Sequence, residues 1–300
     1  MSILVIDIGG SSFKCAVMTE ELEILKREKV QNTFRDKKQF LAAIEKVFRK
    51  HQPEVDGIAI SYCGELDPST GLIYCPGSYP YMSMVNLKEE LEAKLKTTVW
   101  VEKDAICAGL AEAQYGVLKP YQNSVALILG SGLGCAVLQD HEVYHGAHFR
   151  ASLATLQSTV LKTFMRKFMV DSILRKWNSK VRKQKEPMGI DGVRFFRKVE
   201  AKRPLAIYRF KKFTKAIVQF IIDLQVMLDT EAIAIGGGVS AQPRLIEEIR
   251  SQMDKAWETN MGLKYGNIVK PDLLVCAYKN DANLIGAMCF YQKMKKEKEQ

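Results

Sequence analysis

The chain opens on residues 3–8, an apolar run broken only by Asp7, which reads as a buried strand. Residues 13–19 and 23–30 read as two more strands, with a glycine turn after the first. Over 37–51 the apolar positions fall at 40, 41, 44, 47 and 48, the spacing of one helix face. A strand at 57–63, a turn at 67–71 and a loop rich in Pro, Gly and Tyr at 75–81 follow. Residues 87–95 predict a short helix, 98–102 a strand and 105–115 a helix.

The pattern then restarts. Residues 124–129 predict a strand, a glycine turn comes next, and 135–139 and 143–144 predict two further strands. Helical material fills 158–229, broken near Pro187 and Pro204. Residues 231–235 predict a buried strand, 243–257 a helix, 273–278 a strand and 282–295 a closing helix. The expected class is therefore mixed α/β, repeated once, as two lobes with a cleft between them. Gly116, Pro120 and Asn123 mark the boundary, giving lobes 1–118 and 119–300, with the final helix (283–297) packing back on the first.

Three buried strands run into glycine loops: Asp7-Ile8-Gly9-Gly10-Ser11-Ser12, Gly130-Ser131-Gly132-Leu133-Gly134 and Gly236-Gly237-Gly238-Val239-Ser240. Glycine allows positive φ and lets a phosphate reach main-chain N–H groups without meeting a Cβ. None of the loops has the G-x-x-x-x-G-K-[ST] spacing or a dinucleotide fingerprint. Three together, two of them at matching places in a repeat, point to a polyphosphate ligand. Asp7 beside the first loop is either a turn aspartate bonding the glycines or a ligand, through water, to Mg²⁺. Lys14 either lies on a solvated face or reaches a phosphate. Asp104, between a strand and a helix, reads as a helix N-cap and as a carboxylate placed to take a hydroxyl proton; the two roles can coexist.

Bulk properties add limits. The net charge of +10 is uneven: residues 161–215 hold 18 Lys and Arg against four acids, leaving the rest near −4. This stretch is read as a solvated helical face in preference to a nucleic-acid site. The seven cysteines are odd in number, scattered and free of any CxxC pair, so they read as reduced core residues with no structural zinc. No apolar run spans a bilayer and the N-terminus does not read as a signal peptide, so a cytoplasmic protein is expected.

These motifs resemble the ROK family (repressors, open reading frames, kinases) of the actin/hexokinase-like ATPases, over nearly the whole chain. The segment 7–14 is similar to the family's DIGGT-x-x-K motif, 130–134 to its second phosphate loop, and 233–240 to its adenosine-side motif. Val101-Glu102-Lys103-Asp104-Ala105 resembles the E-N-D-A segment, whose Asp is the family's catalytic base, and 279–287 also matches. The resemblance implies two ribonuclease-H-like lobes flanking an active-site cleft, MgATP as cofactor and a sugar-like hydroxyl acceptor. Asp104 would be the base and Asp7 the magnesium-side carboxylate. Gly9, Gly10, Ser11, Ser12, Lys14, Gly130, Ser131, Gly132, Gly134, Gly236, Gly237 and Gly238 would bind nucleotide, and Gly64, Lys103 and Asp104 would meet the acceptor. By analogy it implies a homodimer. The repressor branch is disfavoured, since the phosphate motif begins at residue 7.

The departures lie in the sugar half. Lys103 replaces the family's sugar-binding Asn, Leu153 aligns with its sugar-contacting Glu, and its zinc-bound His is missing. Lys103 beside the base suggests an acidic or already phosphorylated acceptor. His145 and His148 read as surface or turn histidines. The leading expectation is an ATP-dependent sugar kinase with an atypical acceptor site. A catalytically degenerate sensor of the same family stays open as the alternative, and a nucleic-acid-binding protein as the third.

Overall fold

The computed structural model describes residues 2–130, 133–149, 151 and 192–299. Two five-stranded sheets carry it. The first has order β3-β2-β1-β4-β7 and the second β10-β9-β8-β11-β12. Their strands are β1 (Ser2–Ile8), β2 (Ser12–Thr19), β3 (Ile24–Gln31), β4 (Gly57–Tyr62) and β7 (Thr98–Lys103), then β8 (Ser124–Leu129), β9 (Leu133–Gln139), β10 (Glu142–Val143), β11 (Ala232–Gly236) and β12 (Asp272–Val275). In both sheets the first three strands of the repeat pair antiparallel and the last two add in parallel. The halves are topological copies, as the restarting pattern predicts.

Strand alternation sorts the side chains. Leu4, Ile6 and Ile8 of β1 pack outward with Phe40 and Ile44 of helix α1 (Lys37–His51) and Leu87 and Leu91 of α2 (Leu87–Leu95). Ile3 and Val5 face inward, against α3 (Asp104–Gln114) and the last helix, Ala282–Glu299. On the far side, Leu127 and Ile235 meet α4 (Gly192–Glu200), α5 (Pro204–Leu228) and α6 (Pro243–Thr259). A short α7 (Met261–Tyr265) precedes the last helix, α8. The order of layers is thus helices, sheet, the α3/α8 pair, sheet, helices.

The central pair joins the lobes, because each of its helices leans on the other lobe's sheet. Gly109 of α3 faces Ala136 and Ala126 of the second sheet, while Phe290 of α8 stacks edge-on against Trp100 of the first, ring centroids 6.4 Å apart. Where the helices cross, a Cβ on Gly286 would lie 1.6 Å from the Cys107 carbonyl oxygen, so only glycine permits this approach.

Three sequence expectations need correction. The expected turn at 67–71 and loop at 75–81 are present, the turn closed by the Gly71 N–H donating to the Asp67 carbonyl at 2.7 Å, but the strands beside them were not expected. Between and around them lies a small hairpin, β5 (Glu65–Asp67) with β6 (Leu72–Cys75), whose strands are too short to show a period. The strand expected over 273–278 ends at Val275, and α7, capped by Asn260, is an added element. Among the described residues no helix is long and apolar enough to cross a membrane.

Candidate active site

Register builds the first half of the site. Asp7 continues the inward series of Ile3 and Val5, and it pairs with Lys14 on β2 and with Ser61 on β4. Lys14 Nζ donates to Asp7 Oδ2 at 3.1 Å, and Ser61 Oγ to Oδ1 at 3.2 Å. Asn283 Nδ2, from the first turn of α8, donates to Oδ1 at 3.0 Å. Asp7 is only 4% exposed, and these donors offset the cost of burying its carboxylate. A carboxylate offers about four lone-pair sites. Three are taken, which leaves one on Oδ2 where a metal-bound water can donate. That arrangement fits Mg²⁺, which keeps most of its waters.

The turn from β1 to β2 is braced from behind. Tyr79 Oη donates to the Gly9 carbonyl at 2.6 Å, and Asn32 Nδ2 to that of Gly10 at 2.8 Å. In a trans peptide the N–H opposes the C=O, so anchoring these carbonyls turns the N–H groups of Gly10 and Ser11 away from the brace. A Cβ on Gly10 would stand 2.6 Å from Ser78 Oγ.

Opposite lies the second glycine turn. Gly9, Gly10, Asp104, Gly130, Leu133 and Gly134 line one cavity of about 400 Å³ between the lobes. The third loop opens on an adjoining cavity of about 160 Å³, lined by Gly236, Gly237, Gly238, Lys14 and Asn283, and Ile128 borders both. Gly237 has φ +86°, and a Cβ there would lie 2.3 Å from the Leu129 carbonyl oxygen. Ser11 is exposed and Ser12 buried at the mouth of the first turn. Ser131, Gly132 and Leu153, with residues 161–191 of the basic stretch, lie outside the described residues.

Asp104 also lines the large cavity. It is the first residue of α3, and Lys103 occupies the cap position without a side-chain capping bond, which corrects the N-cap expectation. Asp104 Oδ1 accepts the Ala105 N–H at 2.7 Å. Burial pushes its carboxyl up to about 6, against that N–H, and the charges of Asp7 and Glu65 push the same way. Gly64, Glu65 and Lys103 line the same cavity, and Ser78 lines it beside Gly10. A Cβ on Gly64 would come within 2.4 Å of the Cys75 carbonyl oxygen, so glycine is required there. Lys103, 4% exposed, holds its Nζ 3.7 Å from Glu65 Oε2 and 3.4 Å from the Phe149 carbonyl oxygen. Cys63 also lines the cavity, but burial raises its thiol to about 11, leaving it protonated at neutral pH and a poor nucleophile.

The histidine expectation is half corrected. His148 is exposed, but His145 Nε2 lies 2.6 Å from Oε2 of Glu102, which is fully buried. Sequence reasoning gave no individual role to Ser61, Glu65, Tyr79 or Asn283, although Tyr79 falls in the loop 75–81 and Asn283 in the family match at 279–287. Ser61 was findable as the polar residue in the apolar run 57–62; the others act through contacts far apart in the chain. Among the described residues no group of three or more His, Cys, Asp or Glu side chains could hold a metal ion.

The sequence profile of the ROK family matches residues 3–153 and 171–294. The β-glucoside kinase of Listeria monocytogenes is 29% identical over 304 aligned positions, covering 96% of each chain. A ROK family protein of Streptococcus pneumoniae, solved in complex with sucrose, superposes with a TM-score of 0.84 at 24% identity, over 99% of this chain and 100% of that one. A ROK family glucokinase of Streptomyces griseus, in complex with glucose and AMPPNP, gives 0.81 at 20% identity, over 98% and 100%. With two actin-like lobes, glycine loops on both sides of one cleft and a profile match along most of its length, this chain belongs to the ROK family.

Proposed function

We propose that this protein transfers the terminal phosphoryl group of ATP to a hydroxyl of a sugar or sugar-like acceptor. One observation carries the reading: glycine turns from both lobes and the carboxylate of Asp104 line a single cavity. The relatives' names, β-glucoside kinase and N-acetyl-D-glucosamine kinase, support an acceptor of that class, and the AMPPNP-bound neighbour supports ATP as donor.

In this reading the N–H groups of residues 9–12 and 130–134 cradle the phosphates, and Gly236, Gly237 and Gly238 border the adenosine side. Asp104 accepts the hydroxyl proton as the acceptor oxygen bonds the γ-phosphorus and the bond to the β–γ bridging oxygen breaks, releasing ADP. A carboxyl near 6 is ionised at neutral pH and is more basic than an ordinary aspartate. Mg²⁺, when bound with ATP, would neutralise phosphate charge; Asp7 is the residue that would hold its water. Lys14 orients Asp7, and Gly64 with Lys103 forms the acceptor wall. We read the lobes as 1–118 and 119–300 and the protein as a cytoplasmic homodimer.

ATP consumption against a panel of sugars, glucosides and sugar acids tests the reading, with Asp104→Asn as control. Turnover is expected with at least one acceptor and lost in the variant; equal turnover by the variant removes Asp104 from its role. Lys103 and Leu153, at positions where the family binds sugar, favour a second reading, a sensor that binds nucleotide without transfer. ATP binding by calorimetry with no product from any acceptor would select it.

A further inference from the structure

We infer that His145 is a positioning residue for acceptor phosphorylation: by bonding the buried Glu102 it clasps residues 145–149 and Ala151 of the second lobe onto the strand end that carries Asp104. The inference rests on the kinase reading, in which the acceptor occupies the Asp104 end of the cavity.

Glu102 lies in β7, two residues before Asp104, and is fully buried. A carboxyl group cut off from water needs partners on both oxygens. Oε1 accepts the Lys103 N–H at 2.6 Å, and Oε2 meets His145 Nε2 at 2.6 Å. His145 comes from the opposite lobe, two residues beyond β10. From there the chain folds onto itself. The Phe149 N–H donates to the Gly146 carbonyl at 3.2 Å and the Ala151 N–H to that of His145 at 3.0 Å. The His145 and Phe149 rings meet edge-on with centroids 5.9 Å apart.

A second tie comes from Lys103 Nζ, which donates to the Phe149 carbonyl at 3.4 Å. The segment is therefore fastened to both residues that precede Asp104, and its end, Ala151, lines the cavity. One side-chain pair thus fixes the backbone leading into Asp104 and a wall of the acceptor end. Its two residues lie outside the glycine turns. Losing it should disturb acceptor placement and leave ATP binding alone, since a displacement of about 1 Å at a reacting group can cost on the order of 100-fold in rate.

The test compares acceptor and ATP kinetics of the full chain with those of His145→Ala, His145→Gln and His145→Asn. The Gln amide nitrogen can replace Nε2, whereas Asn is too short to reach the carboxyl. Exposed His148→Ala is the neighbour control. We expect His145→Ala and His145→Asn to lose roughly 10- to 100-fold in kcat/KM for the acceptor, with ATP KM unchanged within about twofold. His145→Gln should recover most of the loss, and amide exchange over 145–149 and at Ala151 should quicken in the Ala and Asn variants only. Wild-type acceptor kinetics in His145→Ala would overturn the inference, as would acceptor and ATP KM rising together without rescue by Gln. If the wild type phosphorylates no acceptor, or Asp104→Asn turns over as fast as wild type, the kinase reading itself fails and takes this inference with it.

Discussion

Asp104 is held in a place that favours its neutral form, and that has consequences for rate and for stability. As a base it must be ionised, so kcat/KM should fall about tenfold per pH unit below about 6 and level off above. A pH–rate profile flat from 5 to 8 would contradict this. The stability effect has the opposite sense. A carboxyl raised from 3.8 to about 6 by folding gives stability that is fully present below about pH 4 and lost as pH rises through 6. Asp104→Asn should therefore match the wild type near pH 4 and exceed it at pH 7, by at most about 3 kcal/mol. Urea unfolding at both pH values measures it, and the same variant should lose roughly 10²- to 10⁴-fold in turnover. At this scale Asp7, Asp104 and the glycine loops were legible, because each breaks a local pattern. Glu65, Tyr79 and Asn283 were not: Glu65 meets Lys103 across 38 residues (103 − 65), Tyr79 meets Gly9 across 70 and Asn283 meets Asp7 across 276, and no local period encodes such distances.

Elements with a full period were read closely. The helices at 37–51 and 87–95 and the strand at 124–129 coincide with their predicted spans. The hairpin of β5 and β6 escaped because three- and four-residue strands show no alternation, yet it carries Glu65 into the cavity. The crossing of α3 and α8 was also invisible, since Gly286 looks ordinary until the Cys107 backbone is seen against it. Gly286→Ala must push the two helices apart, and overpacking of this kind costs roughly 1–3 kcal/mol. Chemical denaturation should show the midpoint fall with little change in slope; an unchanged midpoint would mean the crossing tolerates a methyl group.

For the whole molecule, the duplicated sheets place equivalent glycine turns on facing sides of one cavity, and the shared α3/α8 pair is the only helical layer between the sheets among the described residues. Asp7 is bonded by Lys14 and Ser61 of its own sheet and by Asn283 of α8. Asn283→Ala removes that bond from a buried carboxylate and should lower folding stability by about 1.5 kcal/mol; urea unfolding would measure it, and an unchanged midpoint would mean the bond contributes nothing. The most direct measurement is a crystal structure with a non-hydrolysable ATP analogue and an acceptor. It should place phosphate oxygens within about 3 Å of main-chain nitrogens from both 9–12 and 130–134, with an acceptor hydroxyl against Asp104. Phosphates held by one lobe alone, or an acceptor bound away from Asp104, would contradict the account.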